Sequence, residues 1–200
     1  MNITRDDILN LLVLSPKRFK HTLGTEKAAL ELARLHHPDL DVEKVAFSAL
    51  LHDMTKEYSV EQHIAAAEKF GVSFSDVDIL SPKLLHSKTA SLISRFELKL
   101  PDDVCDAILY HTTGRIAMTP LEEVLYFADY IEENRVDDEC VSLRESYKSF
   151  LNQFDPRVAL DKSLVLSFDR TIGNLMKKSH IIDKNTVEAR NYYLKKTFIK

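Results

Sequence analysis

Glycine and proline are scarce in this chain: of 200 residues, four are glycine and six are proline. Sandwiches and barrels built from many short strands need both residues in their turns, so the shortage favours helices. The glycines stand at positions 24, 71, 114 and 173, a spacing that forms neither G-x-G-x-x-G nor G-x-x-x-x-G-K-[ST]. The sequence therefore excludes both glycine-rich phosphate-binding loops.

Cysteine is almost absent as well, with only Cys105 and Cys140 and no C-x-x-C pair. Two cysteines are too few for a disulfide framework, and they cannot form a thiolate zinc cage. We expect both to be free thiols in a reducing compartment, packing inside the fold rather than reacting.

An excess of basic residues is also lacking, since 27 Lys and Arg stand against 31 Asp and Glu, for a net charge of −4. Proteins that bind duplex nucleic acid usually carry the opposite excess. No segment approaches the roughly 18 apolar residues of a membrane-spanning helix. The apolar stretch 8–14 contains Asn10 and follows Asp6 and Asp7, unlike a secretion signal. We expect no bulk nucleic acid and no membrane as partner, and a cytoplasmic protein.

Signals for helix starts, by contrast, recur along the chain. Four prolines follow a good N-cap residue, where proline suits the first helical position: Ser15-Pro16, Ser81-Pro82, Thr119-Pro120 and Asp155-Pro156. Capping boxes are expected at Ser59-x-x-Gln62, Thr119-x-x-Glu122, Ser142-x-x-Glu145 and Asn185-x-x-Glu188. Apolar residues recur every three or four positions between these signals.

This pattern predicts helices at 4–14, 17–36, 42–55, 60–70, 82–95, 102–111, 120–132, 142–153, 156–178 and 185–197. Residues 133–141 are rich in acidic side chains and are expected to form a solvated loop. No segment alternates apolar and polar residues long enough to indicate a strand. We predict an all-α protein: a single compact domain over residues 1–200, built as a bundle of about nine or ten helices.

The eight histidines fall into two groups. His36, His37, His63 and His180 lie at helix ends or in polar surroundings, where a surface or structural role explains them. The second group comprises His21, His52, His86 and His111, and Asp53 and Asp129 belong with it. Apart from His21, in the first turns of its helix, these residues follow apolar runs, where the helices leave the core.

A buried histidine or aspartate must be paired, hydrogen-bonded or bound to a metal, because its desolvation is costly. Separately satisfied core groups would explain any one of these residues. For the whole set, with an adjacent His-Asp pair, a metal site is the better explanation. Imidazole and carboxylate ligands without thiolate suit Fe, Mn, Co, Ni or Zn, and six candidates indicate an open site or two ions sharing Asp53.

The order His21, His52-Asp53, Asp129 resembles the H…HD…D pattern of the HD superfamily of helical metal-dependent phosphohydrolases. Within it, the chain is similar to the YqeK family, the bacterial symmetrical diadenosine tetraphosphate hydrolases. The similar segments are 18–23 (RFKHTL), 50–56 (LLHDMTK), 84–86 (LLH), 110–115 (YHTTGR), 128–132 (ADYIE), 169–172 (DRTI) and 186–192 (TVEARNY). Ser87 and Glu133 depart from the family pattern, which commonly has Gly and Pro there, but neither removes a ligand.

The resemblance implies two divalent or mixed-valent metal ions, with iron as the expected metal and Mn, Co or Ni as alternatives. His21, His52, Asp53 and Asp129 would hold the first ion, and His86 and His111, with Asp53 bridging, the second. A water shared by two cations loses its proton near neutral pH and becomes the nucleophile on an inner phosphate. The expected reaction cleaves diadenosine tetraphosphate, a small-molecule dinucleoside polyphosphate, into two ADP.

The same resemblance assigns the phosphate contacts. Asp53, Lys56 and Arg115 would be catalytic, and the substrate would be bound by Lys56, Thr112, Thr113, Arg115, Arg170 and Arg190. Each charged residue has an alternative in an ion pair with a nearby acidic side chain, for Arg190 with Glu188 or an earlier helix.

Two other functions stay open at this stage: another HD-domain nucleotidase or phosphodiesterase, or a metal-stabilised binding module without turnover. Tyr192, Tyr193 and Phe198 could pack a homodimer or only the last helix.

Overall fold

The structure is a computed structural model that describes residues 3–198, and this part of the chain forms helices and no strand. The helices are α1 (Arg5–Leu11), α2 (Pro16–His36), α3 (Val42–Leu51), α4 (Val60–Glu68), α5 (Asp76–Leu80), α6 (Leu85–Phe96), α7 (Asp102–Tyr110), α8 (Pro120–Ile131), α9 (Asp138–Gln153), α10 (Pro156–Lys177) and α11 (Lys184–Phe198). A short 3₁₀ turn, Pro82–Leu84, precedes α6. The prediction of an all-α protein is confirmed.

The helices begin where side chains can accept the first unpaired backbone N–H groups. Ser15, Thr119 and Asp155 cap α2, α8 and α10, each followed by a proline in the first turn. The capping boxes at Ser59 and Thr119 are both formed, so these sequence predictions are confirmed.

Four local predictions are wrong. The short helix α5 was not predicted, because it buries no side chain and so leaves no apolar period. Ser81 gives no side-chain cap, and Pro82 opens only a 3₁₀ turn. The predicted acidic loop contains the start of α9, which Asp137 caps, so Ser142 lies inside that helix. The capping box predicted at Asn185 is wrong as well, because α11 already begins at Lys184 and Asp183 accepts from the Asn185 N–H.

The buried apolar side chains form one continuous cluster centred on α8. Every residue of α8 except Pro120 and Tyr130 is buried, and α3 is buried without interruption from Val45 to Leu51. Helices α2 and α3 pack together and both contact α8, while α10 packs on α9 and α11. The two most buried helices therefore meet, which brings the end of α3 close to the last turn of α8.

The sequence also predicted the environment of the two cysteines and of the aromatic residues in the last helix. Cys105 and Cys140 are buried free thiols, and burial raises the pKa of both thiols, to about 11 and about 12. Tyr193 is fully buried and cannot pack a dimer, whereas Phe198 is 77% exposed. No helix in the described range has the length and apolar character needed to cross a membrane.

Candidate metal centre

Six buried side chains from five parts of the fold meet beside α8. His21 comes from α2, His52 and Asp53 from the end of α3, and Asp129 from α8. His86 lies in the first turn of α6 and His111 directly follows α7. The structure thus brings together every residue proposed from the sequence as a ligand; ligation itself remains a prediction.

Asp53 lies at the centre of this cluster, and its two carboxylate oxygens face different pairs of histidines. Oδ1 is 3.1 Å from His86 Nε2 and 3.7 Å from His111 Nε2. Oδ2 is 3.6 Å from His21 Nε2 and 3.5 Å from His52 Nε2. Asp129 Oδ1 adjoins the second pair, at 3.0 Å from His21 Nε2 and 3.7 Å from His52 Nε2. The two oxygens thus face the same two groups of histidines that the family resemblance implies as ligand sets, and the ligand sets themselves stay a prediction.

Each histidine is oriented through its other ring nitrogen. The Nδ1 atoms of His52, His86 and His111 lie 2.6–2.7 Å from backbone carbonyls three residues earlier. A carbonyl can only accept, so each Nδ1 carries a proton and each Nε2 is the nitrogen that remains to face Asp53 and bind a metal ion. This is the arrangement that metal-ligating histidines commonly show.

The donor atoms of this cluster are arranged to bind divalent cations, because they do not satisfy one another by hydrogen bonds. The Nε2 atoms of His86 and His111 are 3.0 Å apart, and their Nδ1 contacts leave no proton to share between them. Burial lowers the pKa of His86 to about 3 and lowers that of His111, so both imidazoles are neutral at pH 7. Asp53 Oδ1 is buried and makes no hydrogen bond. Nitrogen lone pairs and a carboxylate oxygen without a hydrogen bond, all facing one another, are stabilised by a cation between them.

The part of the cluster around His21, His52 and Asp129 is more strongly charged than the part around His86 and His111. Burial alone would lower the pKa of His21, but contacts with Asp129, Asp53 and Glu132 raise it to about 10. Burial opposes ionisation of Asp53 as well, yet the imidazoles of His52, His111 and His21 hold its pKa well below the usual value. Burial opposes ionisation of Asp129 too, but contacts with Arg135, His21 and His52 likewise lower its pKa, so both carboxylates are ionised, whereas His21 would release a proton on binding a metal ion.

Three residues that support the cluster were not proposed from the sequence. Arg18 Nη1 donates to Asp53 Oδ2 at 2.6 Å, and Arg135 Nη2 donates to Asp129 Oδ1 at 2.6 Å. Glu132 Oε1 lies 3.1 Å from His21 Nδ1 and accepts its proton. Arg18 precedes His21 by three residues and Glu132 follows Asp129 by three, so one-turn spacing on a helix was an available signal for both.

Glycine at position 24 lets Glu132 reach His21. A Cβ atom at Gly24 would lie 2.1 Å from Glu132 Oε2, closer than any real contact allows. The absence of a side chain on α2 therefore opens the space in which the Glu132 carboxylate approaches the histidine.

Lys56 and Thr112 are the two proposed substrate-binding residues that the structure places beside the cluster. Lys56 Nζ is 3.0 Å from His86 Nε2 and 3.4 Å from Asp53 Oδ1. Thr112 Oγ1 is 3.2 Å from His111 Nε2 and 3.4 Å from His86 Nε2. Both present hydrogen-bond donors at the edge of the histidine pair, as the sequence interpretation requires.

The other four proposed substrate-binding residues make contacts elsewhere. Thr113 Oγ1 donates to the Gly114 carbonyl, and Arg170 donates to the Glu139 carbonyl and Ser142 Oγ. Arg190 pairs with Asp169 of α10, which is the ion-pair alternative considered from the sequence. Arg115 binds the buried Glu122 carboxylate through two hydrogen bonds, at 2.5 and 3.0 Å. Their roles towards phosphate stay predictions.

Replacing Arg115 tests its proposed catalytic role. From the sequence, Arg115→Ala is expected to slow turnover about 10²–10³-fold, the usual loss for one donor to a reacting phosphate, with folding nearly intact. The structure changes the second expectation, because the variant leaves the Glu122 carboxylate, 1% exposed, without its partner. We expect a loss of about 1–3 kcal/mol in the free energy of unfolding, measured by urea titration.

The double variant Arg115→Met, Glu122→Gln separates the two effects. It removes both charges of the buried pair, so stability should recover while turnover stays low. Normal steady-state kinetics in the double variant would show that Arg115 acts only through Glu122.

Residues 18–134 match the family model described as HD domain. The chain belongs to this HD family of metal-dependent hydrolases. The matched range contains all six residues of the cluster and the supporting Arg18 and Glu132.

Two curated relatives are similar to this chain over nearly its whole length. The chain is 34% identical to the protein named bis(5'-nucleosyl)-tetraphosphatase, symmetrical, of Bacillus subtilis strain 168, over 90% of each chain. It is 29% identical to the protein of the same name from Staphylococcus aureus strain NCTC 8325, over 96% of this chain and 95% of that one.

A solved structure is similar as well. It is the crystal structure of a predicted HD superfamily hydrolase involved in NAD metabolism from Clostridium acetobutylicum, 34% identical, with a TM-score of 0.84. The match covers 97% of this chain and 98% of that one.

Proposed function

We propose that this protein hydrolyses diadenosine tetraphosphate symmetrically and releases two molecules of ADP. The observation that carries the proposal is the position of Asp53, whose two oxygens face the His21/His52 and His86/His111 pairs. The comparisons support the proposal, because curated relatives that are similar over 90% or more of the chain are named as symmetrical tetraphosphatases.

Two metal ions would occupy the cluster. His21, His52, Asp53 and Asp129 would hold one, and His86, His111 and the other oxygen of Asp53 the second. Bound divalent ions supply acidified water at neutral pH and offset the charge of the phosphate under attack. We propose iron, the metal that the family resemblance implies, with Mn, Co and Ni as alternatives that imidazole and carboxylate donors also suit.

The chain's own side chains then orient the polyphosphate. Lys56 presents its ammonium group beside His86, where it can donate to a phosphate oxygen next to the ions. Thr112 offers a hydroxyl on the other side of the same histidine pair. Thr113, Arg115, Arg170 and Arg190 would have to leave their present partners to reach the substrate, so we propose them as later contacts of the bound state.

We also propose a domain organisation, a cellular compartment and an oligomeric state for this protein. We propose that residues 1–200 act as one domain without bulk nucleic acid as partner, consistent with the net charge of −4. The free buried thiols support a reducing, cytoplasmic setting. A homodimer through the exposed Phe198 stays a prediction.

Chromatography of the initial products tests the reaction. Metal-loaded protein given diadenosine tetraphosphate should form ADP as its sole early product, with chelator-treated protein as the control. AMP and ATP in equal amounts would contradict symmetrical cleavage. Release of orthophosphate, or ring opening of a cyclic nucleotide, would instead place the chain among other HD nucleotidases or phosphodiesterases.

A further inference from the structure

The first turn of α6, which carries His86, is held by few local contacts. Leu84 precedes the helix without a side-chain cap, and Ser81 does not cap the 3₁₀ turn before it. Ser87 Oγ donates to the Leu84 carbonyl at 3.0 Å, but this bond lies within one segment and cannot fix its place relative to the other helices. The position of His86 therefore depends on contacts that reach this turn from other elements.

One such contact comes from Thr55, which lies two residues after Asp53. The Thr55 side chain is fully buried, and its hydroxyl donates to the His86 carbonyl at 2.8 Å. A carbonyl has two lone pairs, so it can accept this bond in addition to the helical one. In the described part of the chain, no other side chain from a different element hydrogen-bonds the backbone of this first turn, residues 85–88.

Thr55 and Asp53 belong to one turn, and this turn contacts His86 at two points. The Lys56 N–H donates to the Asp53 carbonyl at 2.9 Å, which closes the turn. Asp53 Oδ1 lies 3.1 Å from the imidazole of His86, while Thr55 bonds the backbone of the same residue. The distance between the central carboxylate and His86 is therefore fixed from the backbone side by Thr55.

The other half of the cluster does not depend on this bond. His52 directly follows the buried helix α3, and His21 lies on α2, which packs on α3 and α8. Helix α6 packs on α7 and α4 instead. Loss of the Thr55 bond is therefore expected to displace His86 and to leave His21 and His52 in place.

We propose that Thr55 is a positioning residue that holds His86 at the distance from Asp53 needed to bind the second metal ion. The proposal rests on the proposed function, from which it takes the two ion sites. Metal–ligand distances vary by only about 0.2 Å, so a small shift of the first turn of α6 weakens binding. Thr55 acts through the backbone of His86 and is not itself a ligand.

Calorimetric titration of the chelator-treated, full-length protein with Mn²⁺ tests this role. Thr55→Val keeps the shape of the side chain and removes the donor. We expect the ion held by His86 to bind about tenfold more weakly or worse, the usual loss when a group that orients a metal ligand is removed, and the other ion to bind within about twofold of wild type. Thr55→Ser restores a hydroxyl and should restore the affinity. His86→Gln and His21→Gln, each lacking one proposed ligand, identify which binding event belongs to which site.

Thr89→Val is the matched control. Thr89 also lies on α6 and is fully buried, but its hydroxyl is 2.9 Å from Nδ1 of His63, outside the cluster. The variant removes a buried hydroxyl from the same helix, so both Mn²⁺ affinities should stay at their wild-type values. Should Thr55→Val fail to fold by circular dichroism, Thr55→Ala removes the same donor with a smaller side chain.

Turnover gives a second measurement. All six proposed ligands are present in Thr55→Val, so its hydrolysis of diadenosine tetraphosphate should be slow at limiting Mn²⁺ and should recover as the Mn²⁺ concentration is raised. The His86→Gln variant lacks a ligand and should not recover.

The outcomes separate this proposal from the proposed function. Unchanged affinity for the second ion in a folded Thr55→Val variant would overturn the positioning role, and so would equal losses at both sites. The same selective loss in Thr55→Ser or Thr89→Val, or a wild-type protein that binds a single Mn²⁺, would overturn it as well. A selective loss in Thr55→Val, combined with no cleavage of diadenosine tetraphosphate by Mn²⁺-loaded wild type, would support the role of Thr55 and refute the proposed reaction.

Discussion

Asp53→Ala should abolish hydrolysis of diadenosine tetraphosphate and reduce the metal content of the purified protein. Both carboxylate oxygens lie among the histidine Nε2 atoms, so the substitution removes a ligand from each of the two proposed ion sites. We expect turnover to fall more than about 100-fold, the upper end of the loss seen when residues that merely orient metal ligands are removed. Steady-state kinetics and elemental analysis by mass spectrometry measure the two effects.

Asp39→Ala is the matched control, because Asp39 is exposed in the turn between α2 and α3. It should keep wild-type turnover and metal content. Asp53→Asn, which keeps the shape of the side chain, should behave like Asp53→Ala, because an amide cannot supply the charge that joins two cations. Full activity with full metal content in either Asp53 variant would refute the assignment of the centre.

Glu123→Gln is expected to cause the largest loss of stability. The Glu123 carboxylate, on α8, accepts two hydrogen bonds from Arg157 at 2.6 and 2.8 Å and one from Tyr193 at 2.6 Å. His37 Nε2 is 3.0 Å away. This one buried group ties α8 to the end of α2, to α10 and to α11. Arg157 is 37% exposed and keeps Asp161 as a partner, so the loss is that of hydrogen bonds to a charged group, about 1.5–3 kcal/mol, which urea unfolding would measure.

The same carboxylate makes stability depend on pH. Burial alone would raise its pKa, but Arg157, His37 and Tyr193 lower it from 4.5 to about 2. Because the pKa is lower in the folded state, the charged group stabilises the fold at pH values above 4.5. A shift of this size corresponds to about 3 kcal/mol, which is lost as the pH falls from 4.5 towards 2.

Glu133→Gln is the control for both measurements, since Glu133 is mostly exposed and pairs with the exposed Lys27. Exposed pairs contribute about 0–1 kcal/mol, so this variant should follow the wild-type curve at every pH. If Glu123→Gln also follows that curve, the network around Arg157 does not stabilise the protein.

The residues of the metal centre could be selected from the sequence because each carries a local signal. His86 and His111 end apolar runs, and His52 and Asp53 are adjacent after seven buried residues of α3. Such positions are unfavourable for polar groups unless these groups are hydrogen-bonded, paired or bound to a metal ion. The division of the six ligands followed from the family resemblance, and the two oxygens of Asp53 face the same two sets.

The arginines proposed to bind phosphate could not be assigned their contacts from the sequence in the same way. Arg115, Arg170 and Arg190 were proposed from the family pattern, but their guanidinium groups contact Glu122, the Glu139 carbonyl and Asp169. A long flexible side chain reaches any of several partners, so its position along the chain does not determine which one it contacts. The same reason explains why Arg135, which pairs with Asp129, was not proposed.

The sequence by itself determined the helical class, most helix starts and the identity of the six clustered residues. These properties depend on neighbours within one or two helical turns: a cap, a proline at the first position, an apolar period. Only the tertiary structure decided what lies around the cluster. Thr112, Leu175 and Ile181 line one cavity of about 480 Å³, and the Glu123 network joins α8 to His37 and Tyr193. Such contacts span about 60 to 90 residues of chain, and they form only because the packing of α8 against its neighbours brings those surfaces together.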